Sequence, residues 1–79
     1  MSYLCISQDG SIAKVKKRMT LKQMQNWVGG YIEEHDGVIC NEDGIRFGLL
    51  SNVSDERFLG NIIFTERSVR RHGTIRYRW

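Results

Sequence analysis

Five arginines, Arg67, Arg70, Arg71, Arg76 and Arg78, fall among the last thirteen residues with no acid between them. A guanidinium is a rigid fork of N–H donors that matches a phosphate better than lysine does, so this run points to anion binding. Tyr77 and Trp79 alternate with Arg76 and Arg78, and Tyr31 and Trp27 lie upstream. Such rings can stack on nucleobases, although in a small domain they more often serve the core or a subunit interface. Asn41 and Glu42 offer base-reading groups. An amide can pair in bidentate fashion with adenine, and a carboxylate can accept two hydrogen bonds from guanine. The same Asn41-Glu42-Asp43-Gly44 segment also has the composition of a turn. It lacks the spacing and distal glutamate of a calcium loop. The arginines likewise have a plainer reading, as charge that keeps a terminal edge strand soluble and unpaired.

The residues that catalysis needs are sparse. His35 and His72 are the two histidines, and neither has a partner at metal-ligand spacing along the chain. Glu33 and Glu34 are adjacent, so on a strand they point to opposite faces and make no acid/base pair. Cys5 and Cys40 sit in apolar runs outside any C-x-x-C or Cys/His pattern, which reads as two free buried thiols in a reducing compartment. A non-enzyme without metal or cofactor is expected.

Positioning these groups falls to short elements. Tyr3–Ser7 and Ile12–Lys17 read as strands around an Asp9-Gly10 turn, a strong hairpin signal. Thr20 followed by Gln23 matches a capping box. Leu21, Met24 and Val28 make a helical stripe beside Trp27, and Gly29-Gly30 closes the helix. Glycine at a helix end explains this pair without a ligand; the functional alternative is a glycine-floored pocket. Tyr31-Ile32-Glu33, a turn at Asp36-Gly37, the strand Val38–Cys40 and an apolar stretch from Ile45 to Leu50 follow. Asn52–Gly60 reads as a loop with a turn of helix at Asp55–Leu59. Asn61–Thr65 reads as a buried strand, and Thr74–Trp79 as a strand with one apolar and one basic face. The expected architecture is one α+β domain over residues 1–79, with a mostly antiparallel sheet of five to six strands and one short helix packed on it.

Size and charge bound the function. A 79-residue chain holds one modest core, so oligomerisation is expected. Asp9 and Gly10 interrupt the N-terminal apolar run, which argues against a secretory signal, and no apolar run is long enough to span a membrane. A cytoplasmic location follows. The net charge of +3 is segregated: Lys14, Lys16, Lys17 and Arg18 near the start, the arginines at the end, and eight acids against three bases over 19–66. If both basic segments share a side, they form a face for an anion or an acidic surface.

Gln25-x-x-Val28-Gly29-Gly30-x-Ile32-Glu33, followed by Asn41-Glu42-x-Gly44, Asn52 and Gly60-x-Ile62-Ile63, resembles a small domain common in bacteriophages and prophages, catalogued as domain of unknown function 3846. The resemblance covers roughly residues 20–65 and implies phage origin more firmly than function. Ser54-Asp55 depart from the pattern, where a small alanine is usual, and the basic C-terminal strand falls outside it. Joined to the missing catalytic set and the arginines beside aromatics, it leads to a concrete expectation. The chain is a phage accessory protein that antagonises host defence by non-catalytic binding. It sequesters an anionic cyclic nucleotide in a pocket shared between subunits of a homo-oligomer, with Arg71, Arg76 and Arg78 on phosphate, Asn41 or Glu42 on the base, and Tyr31, Trp27 and Tyr77 available for stacking. The alternatives are a nucleic-acid-binding module and a protein inhibitor of a host defence enzyme.

Overall fold

Strand signals and tight turns build most of the molecule. The computed structural model describes residues 2–66; the basic C-terminal segment, with Arg71, Arg76, Tyr77 and Arg78 and the strand expected there, lies outside the described residues. Among the described residues the elements are β1 (Tyr3–Ile6), β2 (Ile12–Val15), α1 (Leu21–Val28), β3 (Ile32–His35), β4 (Val38–Asn41) and β5 (Ile62–Thr65). The five strands form one sheet in the order β2-β1-β5-β4-β3, and every neighbouring pair is antiparallel. This is an α+β fold, a five-stranded antiparallel sheet with one short helix packed against it, as the sequence pattern predicts.

Two different turns set the registers. Between β1 and β2, Gly10 takes a positive φ of 96°, and the Asp9 carboxylate accepts from the Ser7 hydroxyl and the Ser11 amide. Between β3 and β4 a two-residue turn, Asp36 (φ 52°) and Gly37 (φ 83°), has the left-handed dihedrals that suit a tight hairpin. It pairs His35 with Val38 and Glu33 with Cys40.

The sheet is apolar on both faces, which makes its central strand a continuous buried run: Ile62, Ile63 and Phe64 are all buried. On the helix side Tyr3, Cys5, Ile39 and Ile63 pack with Met19 and Val28, joined by half-buried Met24 and Trp27. Leu21, in the first turn of the helix, belongs to the expected stripe but is exposed. Leu4, Ile6, Val38, Cys40, Ile62 and Phe64 form the opposite cluster, with Phe58 against it.

A loop over 42–61 joins β4 to β5. Ile45–Leu50 is no strand; it runs through turns, and Ile45, Phe47 and Leu50 are exposed. Residues 55–59 make a hydrogen-bonded turn rather than helix, closed by the Phe58 amide donating to the Asp55 carbonyl (3.1 Å). Buried Asn52 holds this loop to the sheet, donating to the carbonyls of Ser7 (3.0 Å) and Gly60 (2.8 Å) while its Oδ1 accepts from the Ser54 amide (2.9 Å).

Candidate functional site

The C-terminus of α1, the end of β4 and the start of the long loop meet at one end of the sheet, and each reaches that place for a local reason. Thr20 and Gln23 form the reciprocal capping box, so the helix begins where the sequence marks it. It ends because Gly29 adopts φ 85°, which lets the Gln25 carbonyl accept from the amides of both Gly29 (2.8 Å) and Gly30 (3.1 Å). Asn41 then ties helix to hairpin: its Nδ2 donates to the Val28 carbonyl (3.0 Å) and its Oδ1 accepts from the Asp43 amide (2.7 Å). A Cβ on Gly30 would stand 3.1 Å from Asn41 Nδ2 and 3.5 Å from the Phe47 ring. That glycine is what allows the amide and the aromatic to close in over the backbone.

The result is an open depression of about 660 Å³ floored by Gly29 and Gly30, with Tyr31, Phe47, Arg46 and Asp43 around it and the amides of Gln25 and Asn26 at its helical wall. Tyr31 is 69% exposed and Phe47 56%, so two aromatic surfaces in this lining are open to solvent. The last helical carbonyls of Gln25, Trp27 and Val28 already accept hydrogen bonds, so the acidic partner available to a ligand's N–H edge in this lining is Asp43. Arg46 supplies the cationic side.

Not every residue singled out in the sequence reaches this depression. Tyr31 does, and exposed Glu42 stands beside it, its amide donating to the Tyr31 carbonyl (2.8 Å). Asn41 is buried, with both ends of its amide engaged by backbone, and it shapes the rim from beneath. Trp27 is half-buried in the helix-side cluster, where its indole N–H donates to the Ile62 carbonyl (2.9 Å). Arg71, Arg76, Tyr77 and Arg78 lie outside the described residues. Sequence reasoning passed over Arg46 and Phe47 as site residues because they sit in an apolar stretch. The cue was the pair of glycines, Gly44 and Gly48, that brackets them in turn geometry.

A second depression, of about 620 Å³, opens beside β3 and β4 and shares Asp43 and Arg46 with the first. At its floor the tight hairpin places Glu33, His35 and Cys40 together, their donor atoms all within 4.8 Å of one another. Glu33 Oε1 lies 3.1 Å from His35 Nε2, and the Cys40 thiol donates to the same oxygen at 3.9 Å. Burial, and then the adjacent Glu33 charge, push the Cys40 thiol up to about 11 from its ordinary 9.0. The expectation that Cys40 stands apart from any Cys/His cluster holds along the chain but fails across the hairpin. Cys5, on the opposite face, is raised by burial and faces Met19, its Sγ 3.7 Å from the Met19 sulfur.

Compared with protein-family profiles, curated proteins and solved structures, the chain finds no match in any of the three.

Proposed function

We propose that this protein acts by non-catalytic binding of an anionic nucleotide at the glycine-floored depression. The observation that carries this reading is that exposed Tyr31 and Phe47 line one depression together with Gly29, Gly30 and Arg46. A nucleobase stacks on such a ring, its N–H edge meets Asp43, and its phosphate meets Arg46. Asp43 and neighbouring Glu42 favour a base with two donors on one edge, as guanine has.

The biological role that goes with this chemistry, given the resemblance to a phage domain, is that of an accessory protein withholding a cyclic nucleotide signal from host defence. A shallow, open site needs completion. Ile45 and Leu50, 86% and 69% exposed, lie along the same loop, and a second copy covering them turns the depression into a shared pocket. The C-terminal arginines then serve as further phosphate ligands.

Native mass spectrometry of the protein with a panel of cyclic di- and trinucleotides tests the reading. A defined oligomer retaining an unmodified ligand is the expected result. Arg46→Ala should weaken that complex by about 1.5–3 kcal/mol, the scale of one charge-assisted hydrogen bond, and Tyr31→Ala by a comparable stacking loss of about 1–3 kcal/mol. A monomer that retains no cyclic nucleotide refutes the proposal. Affinity for long polymers that collapses with salt would instead identify a nucleic-acid module.

A further inference from the structure

We infer that Glu33, His35 and Cys40 form a three-ligand site for a zinc-type divalent cation, built by the β3–β4 hairpin and open to the depression beside it. Glu33 and His35 are two apart on β3, so they share a face, and Cys40 is the direct cross-strand partner of Glu33. Three donors of different chemistry therefore converge by backbone geometry alone.

The spacing then suits a tetrahedral ion. Zinc bonds of about 2.0–2.1 Å to nitrogen, about 2.0–2.2 Å to oxygen and about 2.3 Å to sulfur put tetrahedral donors about 3.4–3.6 Å from one another. The nitrogen–oxygen and sulfur–oxygen separations here are 3.1 Å and 3.9 Å, and no pair of the three donors exceeds 4.8 Å. The cation displaces the Glu33–His35 contact, with His35 ligating through Nε2. Both of those side chains are exposed enough to make the small rotations needed, at 42% and 59%. Cys40 releases its proton to solvent as the sulfur–metal bond forms.

The donor set selects the metal. A thiolate with an imidazole favours zinc over magnesium or calcium, which take oxygen ligands. Three protein ligands leave the fourth position for water or an anion, facing a hollow that Arg46 and Arg57 also line. Arg57 does not oppose the cation strongly, because it is paired with Asp55 through two hydrogen bonds of 2.9 Å and 2.6 Å. The plainer account is an exposed Glu–His ion pair lying over a core cysteine. It predicts no metal uptake, and that is where the two accounts part.

The test uses the full chain, stripped of metal under reducing conditions and titrated with cobalt(II) alone as a spectroscopic stand-in for zinc. The expected result is one cobalt per chain with thiolate-to-cobalt charge-transfer absorption, retained by Cys5→Ser and lost in Cys40→Ser. His35→Ala alters an exposed side chain and leaves the core untouched. It should weaken binding at least by the roughly 10–100-fold that loss of even an outer-shell partner costs a metal site. Glu33→Gln should do the same. Absence of the charge-transfer band in the unaltered protein overturns the assignment, as does unchanged cobalt affinity in His35→Ala.

Discussion

Asn52 illustrates how a single side chain can hold a long loop in place. It is fully buried, and its amide bonds the backbone of Ser7, Gly60 and Ser54; the Ser7 carbonyl also accepts from the Gly10 amide (2.9 Å), whereas the Gly60 carbonyl lies in a buried residue and depends on Asn52 more heavily. Asn52→Ala should therefore cost about 1–3 kcal/mol of stability, read from the urea midpoint, since the Gly60 carbonyl and the Ser54 amide lose this partner. Cys40 makes the stability of the fold depend on pH. Its thiol ionises at about 11 in the folded protein against 9.0 ordinarily, so between those values the unfolded chain has lost a proton that the folded chain keeps. Stability is unaffected by this group below pH 9 and declines as pH rises from 9 towards 11. Denaturant melts with a chelator present should show that decline reduced in Cys40→Ser. At this scale the sequence was only half legible. Cys40 could be read as buried and free, which it is. Its neighbours could not, because Glu33 and His35 come near it only through pairing with another strand.

The elements were more legible than the residues. Both Asp-Gly hairpins, the capping box and the glycine stop are local signals that need nothing from the rest of the chain, and all stand where the sequence places them. The helix has only eight residues, too few to persist alone, so its cap and its packed face both matter. Thr20→Ala should cost about 1 kcal/mol, measured by thermal or urea melting, with Thr20→Ser largely sparing that stability. Of the loop over 42–61, the turn at Asn41–Gly44 and the loop over Asn52–Gly60 are legible, and the stretch Ile45–Leu50 between them escaped the pattern because apolarity stood in for burial. Ile45 and Leu50 are apolar and exposed, while the loop is held by polar side chains, Asn41, Asn52 and Asn61. Periodicity cannot register a segment fixed by amide hydrogen bonds.

Across the molecule, charge follows the strand order. β2 is one edge of the sheet, with exposed Lys14 and then exposed Lys16, Lys17 and Arg18; β3 is the other, with Glu33 and Glu34 and then Asp36. Four strand spacings separate these edges, about 19 Å at the usual interval. Segregation along the chain was visible in the sequence, but its transverse direction was not, since that depends on β5 inserting between β1 and β4. The candidate site follows the same rule. Its glycine floor and Tyr31 were marked locally, whereas Arg46 and Phe47 join them only once the long loop has folded back.

The two-residue turn at Asp36-Gly37 also acts as a phase setting for everything beyond it. Side chains on a strand alternate between faces, so a shift of one residue in β3 against β4 would carry Glu33 and His35 to the face opposite Cys40, while every donor stayed in the sequence. A composition search would score the slipped chain and the native one alike. The capacity to gather three unlike ligands therefore belongs to the length of the turn as much as to the ligands, and an insertion there could erase it without altering any of them.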